Sequence, residues 1–185
     1  MPPSQPKGGS PAYLLIALMA PGSVEAEVGK AQNAIFASHG FVSAVALPPL
    51  IPIGFVPDGK GQEFIAGMRK PVHSPYVFET TALAWESGGL YLSVESGGVW
   101  DGLRRELEEK AGDASQRGPL LFQPSEGFCL GCWEVAEEQR AGIRVEVPNL
   151  RFSSCDLAFV SITVSGDAEW WRDVGMEVLA KRPLR

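Results

Sequence analysis

A chain of 185 residues with a formal charge of −6 and a pI near 5.0 is long enough for one domain, or for two half-domains that share a core. Its 45% hydrophobic and 21% charged residues give the balance of a globular chain, not a disordered one. The acidic surface excludes indiscriminate nucleic-acid binding, which needs basic side chains to neutralise phosphates, so no strong nucleic-acid partner is expected.

The most apolar N-terminal run, Tyr13–Ala20, has 8 residues, against the ~20 that a membrane span requires. No membrane association is expected. Only Lys7 precedes that run, which makes it a poor signal peptide. Three cysteines are too few, and of the wrong parity, for a disulfide scaffold. A reducing, cytoplasmic setting is the expectation. The 21 glycines and 15 prolines point to many turns and short strands.

In chain order, residues 1–10 are rich in Pro, Gly and Ser and are expected to be a disordered tail. Residues 11–185 are expected to form a single domain. Ala12–Met19 reads as a buried strand bounded by Pro11 and Pro21-Gly22. Ser23 is a candidate N-cap for a helix with Val24, Val28, Ala31 and Ile35 on one face, and Gly40 is suited to end it. Phe41–Ala46 leads into Leu47–Phe55, an apolar run with prolines at 48, 49 and 52. Pro48 and Pro49 force extended backbone. Pro52 lacks a ladder donor, so a strand here must sit at an edge or over a cleft. Alternation puts Ile51 and Ile53 on one face, Leu50 and Pro52 on the other.

Pro57-Asp58-Gly59 reads as a turn and Gln62–Lys70 as a short helix. Tyr76–Trp85 and Leu90–Glu95 alternate around Glu86-Ser87-Gly88-Gly89, the pattern of a β-hairpin. Val99–Ala111 is a second amphipathic helix, with Trp100, Leu103, Leu107 and Ala111 on one stripe and Arg104, Arg105, Glu108 and Glu109 opposite. Gly118–Trp133 is a further apolar segment. Val135–Ala141 is a polar loop or helical turn. Ile143–Phe152, Leu157–Val164 and Gly175–Lys181 are strand-like, with a turn or short helix at Glu169–Asp173. A helix followed by a proline-bearing turn and an apolar strand thus occurs twice, a weak internal repeat.

This layout resembles the two-histidine phosphoesterases, the superfamily of RNA 2′,3′-cyclic phosphodiesterases once called 2′-5′ RNA ligases. Its members carry a His-x-Thr/Ser motif in each of two lobes, within Pro-Pro-His-Ile-Thr-Leu and Phe-x-Pro-His-Ile-Thr-Leu frames. Here Pro48-Pro49-Leu50-Ile51-Pro52-Ile53 matches the first frame and is followed by Phe55. Phe122-Gln123-Pro124 through Gly131 matches the second, with Gly127 at the histidine position and Cys129 at the hydroxyl position. The resemblance implies an α+β fold of two pseudo-symmetric lobes, each a mainly antiparallel sheet with helices on its outer face, around a central cleft. It also implies that Leu50, Pro52, Gly127 and Cys129 line that cleft.

The family chemistry uses one histidine as base and the other as acid, with the hydroxyls holding phosphate oxygens. Imidazole suits this because its pKa lies near neutral. Leucine, proline and glycine cannot move a proton. The expectation is a non-catalytic member with no catalytic residues, cofactor or metal, serving as a binding or regulatory module for a small ligand or protein partner. The alternative is an active cyclic-phosphate phosphodiesterase or other hydrolase in which Glu126, Glu79 or His73 substitutes. A third possibility is a homodimer formed through an exposed strand edge or through Trp170-Trp171, read as one buried ring and one partly exposed.

The remaining candidates read as structural. His39 sits at a helix C-terminus, where it favours the macrodipole, and His73 lies in a Pro71–Pro75 loop. Cys129 and Cys132 form a lone C-x-x-C. In a strand, residues three apart face opposite sides and cannot share a metal or a disulfide, and only Cys155 and the two histidines could add ligands. Gly88-Gly89 and Gly97-Gly98 read as turns, and Arg69-Lys70 and Arg104-Arg105 as solvated faces. Ser125 and Ser161 have no nearby base.

Overall fold

The computed structural model describes residues 12–56, 65–67, 76–111, 125–164 and 169–184. The expected N-terminal tail, the turn at 57–59, His73 and residues Phe122–Pro124 of the second frame lie outside them. β1 (Ala12–Met19) leads to helix α1 (Gly22–His39) and a 3₁₀ turn (Val42–Val45), then β2 (Ile51–Val56). A hairpin follows, β3 (Phe78–Glu86) and β4 (Gly89–Glu95), then helix α2 (Val99–Ala111) and β5 (Gly127–Gly131). A 3₁₀ turn (Glu137–Gly142), β6 (Arg151–Phe152), β7 (Cys155–Val164), a 3₁₀ turn (Trp170–Arg172) and β8 (Val174–Leu184) complete the order.

Two antiparallel four-stranded sheets result, ordered β2-β1-β7-β8 and β5-β4-β3-β6. The fold is α+β with two lobes. Exchanging β1 for β4, β2 for β5, β7 for β3 and β8 for β6 turns one order into the other. Within this symmetry β1–α1–β2 corresponds to β4–α2–β5, the internal repeat expected from the sequence. In each unit the strands flanking the helix pair antiparallel.

Local chemistry accounts for most boundaries. α1 is not capped by Ser23, contrary to expectation. Pro21 (φ −58°, ψ 150°) takes the N-cap place, and its carbonyl accepts from the Val24 and Glu25 amides. Proline's fixed φ suits a helix entrance, and no side-chain cap forms. Gly40 ends the helix at φ 75°, a conformation glycine adopts without Cβ strain. The hairpin turn places Ser87 and Gly88 at φ 46° and 81°, matching the twist of the flanking strands.

The first proline run is strand only from Ile51. Leu47–Leu50 is an irregular entry that bends at Leu47 and Pro49, outside any ladder. The run Ile143–Phe152 also departs from expectation, because only Arg151–Phe152 pairs with β3. Upstream, the Thr80 side chain replaces a ladder: its hydroxyl donates to the Pro148 carbonyl (2.6 Å) and accepts from the Leu150 amide (2.8 Å). Pro148 has no N–H to extend a strand.

β1, β4 and most of β7 are buried on both faces, whereas β3 is largely exposed or half-buried beyond Thr80. The helix-bearing faces form one cluster, holding Leu14, Ile16, Ile51, Ile53, Leu92, Phe128 and Leu130 together with Val24, Val28 and Ile35 of α1 and Trp100 and Leu103 of α2. The opposite faces form the second, with Leu15, Ala17, Leu50, Phe55, Tyr91, Cys129, Val160 and Ile162. Each fully buried large apolar side chain is worth about 1.5–3 kcal/mol, so both clusters hold the lobes together.

Candidate functional site

The two strands expected to carry the chemistry lie side by side. β2 is the edge of the first sheet and β5 the edge of the second. The Cys129 amide donates to the Leu50 carbonyl (3.2 Å), and the Ser125 amide donates to the Pro52 carbonyl (3.0 Å). Pro52 therefore sits at the sheet edge its chemistry demands. It accepts from the second lobe and, with no N–H, returns nothing, so the two sheets touch without merging into one ladder.

Side chains reinforce this seam. Gln32 of α1, 5% exposed, donates from Nε2 to the Leu47 carbonyl (3.1 Å) and to the Cys129 carbonyl (3.0 Å). The Ser43 amide donates to Glu134 Oε1 (3.1 Å), the Ser43 hydroxyl donates to the same carboxylate, and the Trp133 amide donates to Ser43 Oγ (3.2 Å). Gly131 makes the approach possible. At φ 83° its Cβ position lies 2.3 Å from the Ser43 carbonyl oxygen, so no larger residue fits.

The orientation of β2 follows expectation at first and then departs. Leu50 falls in the second cluster and Ile51 and Ile53 in the first. Simple alternation would send Phe55 with Ile53, yet Phe55 belongs to the second cluster. A β-bulge is the reason: Ile16 pairs with Gly54 but Ala17 with Pro52, leaving Ile53 as the extra residue.

All four motif positions are buried. Leu50 is 0% and Cys129 1% exposed. Gly127 leaves no room for a side chain, since a Cβ there would lie 2.5 Å from the Leu92 carbonyl oxygen and 3.0 Å from Ser93 Cα. Around Leu50 and Cys129 stand Phe55, Tyr91 and Trp133, and Trp133 in turn meets Trp170 (4.9 Å between ring centres) and Trp171 (6.5 Å). The tryptophan pair is buried at both rings, 4% and 7% exposed, which corrects the reading of one ring as partly exposed.

The nearby thiols and the Tyr91 phenol are held neutral. Burial pushes the Cys129 thiol well above its ordinary range, outweighing the hydrogen bond from the Gly131 backbone. Burial does the same to the Tyr91 phenol, with Cys129 and the Glu86 carboxylate adding to the effect. Tyr91 Oη is buried and has no hydrogen-bond partner among the described residues. Cys132 is pushed up to about 12 by burial and then by Glu134, and Cys155 to about 12 by burial and then by Asp156. A thiol nucleophile must be a thiolate, and none is available near neutral pH. The three cysteines are free. Cys129 and Cys132 lie in opposite clusters, and no group of three possible metal ligands occurs among the described residues.

The two proposed substitutes among the described residues, Glu126 and Glu79, do not gather. Glu126 is exposed and its carboxylate takes a hydrogen bond from Arg104 (2.6 Å). Glu79 lies on β3, between Glu95 and Arg151, with β4 separating it from β5. His39 stacks on Phe41 (5.3 Å, 9°) at the end of α1. A further polar contact that the sequence does not mark is that of Ser125, 3% exposed, which donates to Glu86 Oε2 (2.9 Å). The two are 39 residues apart, and no sequence spacing marks them. Gln32 did leave a signal, as the polar residue interrupting the Val28–Ala31–Ile35 stripe.

No protein-family model and no curated protein matches the chain. Among solved structures it is similar to the crystal structure of TT0787 of Thermus thermophilus, with a TM-score of 0.62 and 19% identity over 94% of this chain and 98% of that one. At this identity the likeness extends to the fold alone. No helix among the described residues is long and apolar enough to cross a membrane.

Proposed function

We propose that this chain is a non-catalytic two-histidine-phosphoesterase-like protein whose lobes serve binding or regulation, with a small molecule or another protein as partner. The observation that carries this reading is the set Leu50, Pro52, Gly127 and Cys129 at the motif positions, all buried: Leu50 and Cys129 in the second cluster, Pro52 against the opposing lobe and Gly127 against β4 of its own sheet. None of these side chains exchanges a proton near neutral pH, and none presents a hydroxyl to a phosphate oxygen. The apolar surroundings also disfavour a phosphorylated ligand, because a buried anion without donors is strongly penalised.

Titration with a nucleoside 2′,3′-cyclic phosphate, followed by amide NMR, tests the reading. No saturable shifts are expected at Leu50, Gly127 or Cys129. Saturable shifts confined to those amides would sink it. The alternative of a hydrolase with substituted machinery draws support only from the Ser125–Glu86 hydrogen bond. A serine and a carboxylate without an imidazole between them lack the base that activates a hydroxyl.

A further inference from the structure

β5 runs out into a turn with an unusual backbone. Gly131 and Cys132 follow one another at φ 83° and 67°. Glycine adopts this left-handed region freely, but a residue with a Cβ is strained there. Among the described residues the other non-glycine with positive φ is Ser87, whose hairpin turn calls for it. Cys132 has no such excuse in local turn chemistry.

The two left-handed residues aim the next two at Ser43, in the 3₁₀ turn of the first lobe. The Trp133 amide donates to Ser43 Oγ, and the Glu134 carboxylate accepts from both the Ser43 amide and the Ser43 hydroxyl. Gly131 lies directly against the Ser43 carbonyl, and the Val135 amide closes the turn on the Cys132 carbonyl (3.2 Å). Ser43 is 1% exposed, whereas Glu134 is half-buried, so solvent reaches the contact from the Glu134 side. Ser43 precedes Leu50 in the chain and Glu134 follows Cys129, the two residues whose backbones are hydrogen-bonded across the seam.

We propose that this turn is a strained clasp between the lobes: the grip of Glu134 on Ser43 holds Cys132 in its left-handed conformation, and loss of the grip lets Cys132 relax and loosens β5 from β2. The rival cause is packing, since the Cys132 side chain enters the first cluster and that of Trp133 the second. Three hydrogen bonds converging on one buried residue favour the clasp, and the Ser43 amide has no other acceptor among the described residues. Strain persists where the surroundings over-determine it, and the clasp supplies that determination. The device stands whether or not the lobes bind a ligand.

A double-mutant cycle on the full chain, read by urea denaturation, tests it. Cys132→Gly and Cys132→Ala both delete the thiol and differ in their tolerance of positive φ. At an unstrained position glycine is the less stable of the two. Here Cys132→Gly is expected to unfold at the higher urea concentration, at unchanged slope. In a Glu134→Ala background that advantage should vanish or reverse. Glu134→Gln keeps one acceptor oxygen and serves the same comparison if Glu134→Ala does not fold; the glycine advantage should then shrink. Amide exchange gives a second readout. The Cys129 amide is expected to exchange faster in the Glu134 variant than in the wild type, relative to the amides shared by β1 and β7. A Cys132→Ala protein as stable as Cys132→Gly, with Glu134 intact, overturns the proposal. So does a glycine advantage of the same size in the Glu134 variant, which would assign the strain to packing, or a Cys129 amide whose relative exchange is unchanged.

Discussion

Gly127→Ala isolates the claim that the second motif position has lost all room for a side chain. Two effects oppose each other. Alanine in place of a strand glycine gains about 0.5–1 kcal/mol from reduced freedom of the unfolded chain and from propensity. Against this, the added methyl lies 2.5 Å from the Leu92 oxygen, 2.9 Å from the Leu92 carbonyl carbon and 3.0 Å from Ser93 Cα. These are backbone atoms of β4, a strand hydrogen-bonded on both sides, so no flexible side chain can yield. Overpacking of this kind costs about 1–3 kcal/mol, and with backbone as the obstacle the upper half of that range applies. A net loss of about 2 kcal/mol is expected, read as a lower urea midpoint at unchanged slope. Gly102→Ala is the control. It lies in α2, exposed, with nothing within 4 Å of its Cβ position, and should gain about 0.8–1 kcal/mol from helix propensity. A Gly127→Ala protein as stable as the wild type would refute the reasoning, because the position could then carry a side chain.

Three further outcomes follow from the same seam. Gln32→Leu keeps the volume but leaves two buried carbonyls, of Leu47 and Cys129, without this donor. A loss of about 1–3 kcal/mol in chemical denaturation is expected, and a neutral result would show that the tie contributes nothing. Tyr91→Phe removes a buried hydroxyl that has no partner among the described residues. Its effect should lie within about 1 kcal/mol and on the stabilising side, whereas a clear loss of stability would mean that the hydroxyl is satisfied in solution. The cysteines predict an alkaline limit. Folding raises the Cys132 and Cys155 thiols to about 12 from an ordinary value of 9.0, so above pH 9 the unfolded chain releases protons that the folded chain retains. Stability from these groups is complete below pH 9 and falls as pH rises towards 12. Melting curves across that window check the direction, and a flat profile would contradict it.

The fold was legible where periodicity and punctuation agreed. The stripe Val24–Val28–Ala31–Ile35 and Gly40 marked α1, and alternation around Ser87-Gly88 marked the hairpin. The repeated helix–strand unit anticipated the matching strand orders of the two sheets. Bulges were not legible. The extra residues Ile53 and Leu179 shift which side chains face the core, and no local signal distinguishes them from regular strand. Nor was the seam legible, because Gln32–Cys129, Ser43–Glu134 and Ser125–Glu86 join residues far apart in the chain. Trp170 and Trp171 illustrate the same limit: their burial depends on Trp133, which adjoins them only in three dimensions. Pro52 is the opposite case. Its missing N–H required an edge, and the edge it occupies is the junction of the two lobes.

The central claim is that the strands of the two-histidine frame persist as scaffold while their reactive positions do no phosphodiester chemistry. The most direct measurement is turnover of a nucleoside 2′,3′-cyclic phosphate by the purified protein, followed by ³¹P NMR, with Glu86→Gln and Ser125→Ala proteins in parallel. The account predicts hydrolysis at the buffer rate for all three. Hydrolysis by the wild type that falls to the buffer rate in either variant would contradict it.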